Sequence, residues 1–184
     1  MALFGFNLFG LLGRGRAERI GYELYGAAVA AARDPYFYAE LGVPDTLSGR
    51  FDMVGVHAFL LIRRLSADPQ GKDLAQAVFD AMFNDMDINL REMGVGDLSV
   101  GKKVRVMWEA FHGRAAVYAE AMKLGPEALA EALERNIWPG EQARLAAGNL
   151  ARLVYAQDAH LHRLSVAELS AQPKSFLQPS QIFA

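Results

Sequence analysis

The chain has 184 residues, 52% hydrophobic and 22% charged, which fits one domain with a substantial core and excludes disorder along its whole length. Nineteen basic and twenty-one acidic side chains leave a formal charge of −2, which argues against a general nucleic-acid binder. The lack of cysteine removes disulfides, iron–sulfur clusters, thiolate zinc sites and cysteine nucleophiles together.

Residues 1–13 carry no charge, and Leu3, Phe4, Phe6, Leu8, Phe9, Leu11 and Leu12 crowd them. The stretch is shorter than the ~20 apolar residues of a bilayer span. Its arginines, Arg14, Arg16 and Arg19, follow the apolar run, whereas an export signal puts its positive charges first. Gly5, Asn7, Gly10 and Gly13 weaken it as a helix. Residues 1–15 therefore read as an apolar arm. In one reading Phe4, Phe6, Leu8, Phe9, Leu11, Leu12, Arg14 and Arg16 make a peripheral membrane or partner contact. In the other the arm folds onto its own domain or onto a second copy, or is simply disordered.

The rest predicts helix after helix. Ile20, Leu24, Ala27 and Ala31 keep helical spacing up to Asp34-Pro35, where proline ends the run. A short helical turn, 36–41, stops at Gly42, and Val43-Pro44-Asp45-Thr46 turns the chain into a longer helix. That helix contains Met53–Ile62, apolar all round except for His57, and so reads as the buried centre of a bundle. After a loop over 66–72, a helix over 73–93 carries the stripe Phe79, Met82, Phe83, Met86, Leu90 and Met93. Gly94 caps it, and the next helix continues with Val100, Val104, Met107, Trp108, Phe111, Ala115, Tyr118 and Met122. Gly125-Pro126 restarts the chain for a helix bearing Leu129, Leu133 and Ile137, and a last one spans 141–164. No stretch alternates with a period of two. The expected fold is all-α, a single domain of six or seven helices over 16–165, with residues 166–184 as a tail. Its core should be the stripes of 79–93 and 100–122 packed around Met53–Ile62.

Catalytic and metal constellations fail on spacing. Glu109 and His112 match one Glu-x-x-His pair, but a di-iron bundle needs two such pairs and two further glutamates. His160 and His162 point to different faces of a helix, and His57 reads as a satisfied core histidine. Asp85 and Asp87 diverge by ~160–200° on a helix, so they do not chelate. Asp87 and Arg91 are spaced to pair. No catalytic residue, metal or cofactor is expected.

Two stretches carry a resemblance. DPYFYAELGVPDTLSGRFDMV, over 34–54, and FDAMFNDMDINLREMGVGDLSVGKKV, over 79–104, resemble signature segments of the ubiquinol–cytochrome c chaperone family. FHGR at 111–114 and LERN at 133–136 resemble its later motifs, with His112 where a tyrosine is expected. The resemblance implies an assembly chaperone that binds newly made cytochrome b, or an early assembly intermediate, on its way to ubiquinol–cytochrome c reductase. Mitochondrial relatives act with a partner protein near the ribosomal tunnel exit; this chain looks like the bacterial form. With no export signal, the chain is expected in the cytoplasm as a monomer or weak homodimer, its arm bringing it to the inner face of the inner membrane. The resemblance is densest where no ligand geometry explains it, which nominates Asp85, Asp87, Arg91, Glu92, Asp97, Lys102, Lys103 and Arg114 as a polar surface that either braces the turn or meets the partner. The other reading is a helical carrier of haem or lipid.

Overall fold

Apolar side chains at helical spacing, punctuated by proline and glycine, build only helices among the described residues. The computed structural model describes residues 8–171 and 176–183, with the backbone alone for 8–14. In chain order the helices are α1 (Leu8–Ala32), α2 (Pro35–Ala39), α3 (Leu47–Ser66), α4 (Lys72–Glu92), α5 (Asp97–Leu124), α6 (Pro126–Ile137), α7 (Arg144–Arg163), α8 (Val166–Ala171) and α9 (Pro179–Ile182). A 3-10 turn, Pro69–Gly71, joins α3 to α4. The all-α expectation is met.

Local chemistry sets the boundaries. Asp34 Oδ1 accepts from Tyr36 N at 2.9 Å to start α2, and Thr46 Oγ1 accepts from Gly49 N at 3.2 Å to start α3. Helix α4 stops at Gly94, whose φ of +80° only glycine adopts without strain. There Val95 N donates to Leu90 O, and Gly94 N donates to Arg91 O, closing the last carbonyls. Glu134 Oε1 accepts from Ala143 N at 2.9 Å just before α7 begins.

Helix α3 runs through the centre, with Met53, Val56, Leu60, Leu61 and Leu65 buried. Helices α1 and α4 cover one side of it, α6 and α7 another. The α1–α4 crossing is close enough that a Cβ on Gly21 would stand 2.5 Å from Ala77 Cβ. Ala28, Ala32 and Ala81 are buried in the same core, which keeps bulk away from these helices. Trp138, 2% exposed, is among the largest fully buried side chains. Its Nε1 donates to Gly42 O at 3.1 Å, tying the end of α6 to the loop before α3.

Three expectations need revision. The chain is helical from Leu8, through Gly10 and Gly13, because a helix nucleated by a packed segment extends at only ~1 kcal/mol per glycine. The core leans on α1, α6 and α7 more than expected. Phe79, Phe83, Val104 and Met107 are only half-buried, Trp108 is 43% exposed and Met93 53% exposed, because among the described residues the first half of α5 is covered on one side alone. Finally, residues 176–183 lie on the body. Phe176 meets the His57 ring edge-on at 5.1 Å, the Gln157 amide brackets the Leu177 backbone at 2.7 and 3.0 Å, and Phe183 stacks on Tyr36 at 5.4 Å.

Candidate functional site

An apolar groove opens where the first half of α5 leaves the core. Its walls are the last turns of α1, the first turns of α3, the second half of α4 and the first half of α5. Val29, Tyr38, Leu47, Phe51, Val54, Met86, Leu90, Met93 and Met107 line it. The groove continues along α5 past Leu47, Phe51 and Leu90 to Val106, with Lys102 and Lys103 on its rim. The inner part has a volume of about 220 Å³. That is far above the ~10–15 Å³ one water needs, so it has room for side chains. Leu47 is 55% exposed within this groove, a large apolar side chain that nothing in the described chain covers.

Polar side chains brace the groove. The Tyr25 hydroxyl donates to Asp85 Oδ2 at 2.8 Å, and burial, then Asp85, push the Tyr25 pKa well above the ordinary phenol range. Arg91 spans the α4–α5 turn, with Nε 2.5 Å from Asp87 Oδ2 and Nη1 on Asp97 Oδ1. The Asp45 carboxylate takes Arg50 Nε at 2.6 Å at the start of α3.

The nominated residues divide accordingly. Asp87, Arg91 and Asp97 form one clasp over the turn, while Asp85 faces the groove from the other side of α4. Lys102 and Lys103 are exposed on the groove's α5 wall. Glu92 is exposed and has no ion-pair partner among the described residues. Arg114 stands apart: Nη1 pairs with the buried Asp52 beside Phe59, Phe111 and Tyr118, where a cavity of about 10 Å³ remains. Burial pushes the Asp52 carboxyl up to about 6 against the pull of Arg114. Arg16 is exposed on α1, Phe4 and Phe6 lie outside the described residues, and so do the side chains of Leu8, Phe9, Leu11, Leu12 and Arg14.

Sequence reasoning missed Tyr25, Arg33, Leu47, Arg50, Phe51 and Met107 as groove residues. Leu47 and Phe51 are spaced i, i+4 at the start of α3, a short apolar ridge legible in sequence, but nothing local says that its partner lies on α4 and α5. Among the described residues the four histidines bind no common partner: His162 Nδ1 donates to Asp158 O at 2.8 Å, and His160 lies beside Arg163. His57 is buried and donates through Nδ1 to Met53 O at 2.8 Å; burial holds its pKa down to about 4. His112 rests on Trp108, with ring centroids 4.0 Å apart, and Glu109 takes Arg105 at 2.9 Å. No cluster of metal-ligating side chains is present among the described residues.

The family model described as Ubiquinol-cytochrome C chaperone matches residues 39–176. The chain belongs to that family. Ubiquinol–cytochrome c chaperone relatives include "Protein CBP3, mitochondrial" of Saccharomyces cerevisiae, 27% identical over 150 residues, 78% of this chain and 45% of the yeast protein. "Ubiquinol-cytochrome-c reductase complex assembly factor 1" of Xenopus laevis is 26% identical over 116 residues, 62% of this chain and 58% of the frog protein. The chain thus spans about half the length of these curated relatives. The crystal structure of the Cbp3 homolog from Brucella abortus superposes with a TM-score of 0.82 at 35% identity, over 95% of this chain and 99% of that one. The two signature stretches, 34–54 and 79–104, face each other across the groove: the first supplies Leu47, Arg50, Phe51 and Val54, the second Met86, Leu90, Met93, Lys102 and Lys103.

Proposed function

We propose that this protein is an assembly chaperone for ubiquinol–cytochrome c reductase that holds cytochrome b, or an early intermediate containing it, at the groove between α3 and the α4–α5 turn. One observation carries the reading: the two stretches that resemble the family signatures, far apart in sequence, both line this groove. An open apolar groove suits a chaperone, since it shields a client's apolar surface without enclosing it and releases it once partner subunits compete. The protein then works on the cytoplasmic face of the inner membrane, without chemistry of its own. Among the described residues no helix is long and apolar enough to cross a membrane.

The test is a pull-down from membranes with and without cytochrome b synthesis. Cytochrome b, or a complex containing it, should co-purify with the intact chain and be lost with Phe51→Asp. Recovery of the same partners when cytochrome b is not made would overturn the client assignment. A coloured or extractable ligand in the purified protein would instead support a carrier.

A further inference from the structure

We infer that the groove takes an amphipathic helix whose apolar face is flanked by carboxylates. The inference rests on the chaperone reading and names the kind of segment the site recognises.

The floor is side chain rather than backbone. Val29, Leu47, Phe51, Leu90, Met93 and Met107 present carbon and sulfur surface, and the polar side chains beside them, among them Arg50, Asp85 and Asn89, offer no regular backbone ladder for an extended peptide. The described residues contain no strand, so there is no sheet edge to lengthen. A helix satisfies its own backbone and needs only an apolar stripe, which makes it the fitting occupant. Met86, Met93 and Met107 add unbranched, polarizable side chains that repack around different ridges, as a site serving several helices requires.

Charge decides what flanks the stripe. Arg33 on one rim and Lys102 and Lys103 on the other have no ion-pair partner among the described residues. Asp45 is paired with Arg50, and Asp85, whose hydrogen bond from the neutral Tyr25 hydroxyl cancels no charge, is outnumbered by these three cations. The rims are therefore basic, and a bound helix is steered by glutamate or aspartate beside its apolar face. The chain's own arm does not qualify: residues 1–13 contain no carboxylate, and Arg14 and Arg16 follow. A lipid surface fits poorly too, because a flat bilayer cannot reach the floor of a concave groove.

The experiment uses the full chain and three labelled synthetic helices of about 18 residues, ~27 Å long at 1.5 Å per residue. They share one leucine–alanine face and differ only in Glu, Gln or Lys flanks, and binding is read by fluorescence anisotropy. The Glu-flanked helix should bind roughly tenfold tighter than the Lys-flanked one, an advantage that shrinks as salt rises. The double variant Lys102→Glu, Lys103→Glu should reverse the order, and Leu47→Asp should weaken all three while leaving the melting curve in place. Equal affinity for Glu and Lys flanks, or an order that survives the charge reversal, overturns the proposal. So does a double variant that loses binding to phosphatidylglycerol vesicles yet keeps the peptide order, since the lysines then face lipid. Cytochrome bc levels in cells lacking the chain test the chaperone reading separately. Normal levels there beside charge-dependent peptide binding would overturn that reading alone.

Discussion

Two buried titrating groups sit five residues apart on α3 and act in opposite directions. Burial raises the Asp52 carboxyl from 3.8 to about 6, so between those values the folded state binds the extra proton and stability falls as pH rises. Burial lowers His57 from 6.5 to about 4, so over nearly the same window the unfolded state binds the extra proton and stability rises with pH. At ~1.4 kcal/mol per pKa unit, each amounts to about 3 kcal/mol, and the two nearly cancel. Single variants should unmask them. Denaturant midpoints of Asp52→Asn should climb from pH 4 to 6.5 relative to the parent chain, while those of His57→Phe should decline. Parallel curves for both variants would show that neither group titrates across folding in this range. The exposed Arg91 clasp is a different case. Its pairs with Asp87 and Asp97 are surface ion pairs that stiffen a turn, so Arg91→Ala should move the Tm by no more than a few degrees. Normal Tm together with normal cytochrome bc levels would remove the clasp from the partner surface.

At the level of elements, the helices and their stops were legible because periodicity and punctuation are local properties. Phe111, with its place in the α5 stripe, is buried as expected, and replacing it by alanine should cost about 3–5 kcal/mol in denaturant unfolding. Phe83 and Trp108 belong to equally regular stripes, yet Phe83 is half-buried and Trp108 largely open. Spacing says which residues share a face and not whether a neighbour covers it, and among the described residues no helix covers this face along the first half of α5. The groove was out of reach for the same reason. Asp85, Lys102 and Lys103 stood out, but Tyr25, Arg33 and Leu47 reach the site only through the α1–α4 crossing and the entry to α3. That crossing yields its own prediction. Elsewhere in a helix Gly→Ala gains up to ~1 kcal/mol. At Gly21 the new methyl would meet Ala77 backbone and Cβ inside 3 Å, so Gly21→Ala should destabilise by ~1–3 kcal/mol. A stabilised Gly21→Ala would mean that α1 and α4 can part without loss.

For the molecule as a whole, the proposed function requires the groove to reach a client in the membrane. The groove is walled by α1 from Tyr25 onward, whereas residues 8–13, the described part of the arm, begin the same helix at its other end. In the proposed function the two act at once, the arm toward the bilayer and the groove toward the client. Each fully inserted large apolar side chain contributes roughly 1.5–3 kcal/mol, and each arginine near an anionic surface about 1 kcal/mol. Arg16 and Arg19 are exposed on α1 directly behind the arm, where they can face headgroups. Partial insertion of a few side chains then gives reversible attachment, which suits a chaperone that must leave once assembly proceeds. The intact chain should float with anionic vesicles, and deletion of residues 1–13 should abolish flotation without changing the oligomeric state. The same deletion should leave the groove's affinity for a Glu-flanked helix unchanged, because none of the groove's lining residues is removed. If the intact chain does not float, or the deletion converts a dimer into a monomer, the arm packs on protein and the membrane contact lies elsewhere.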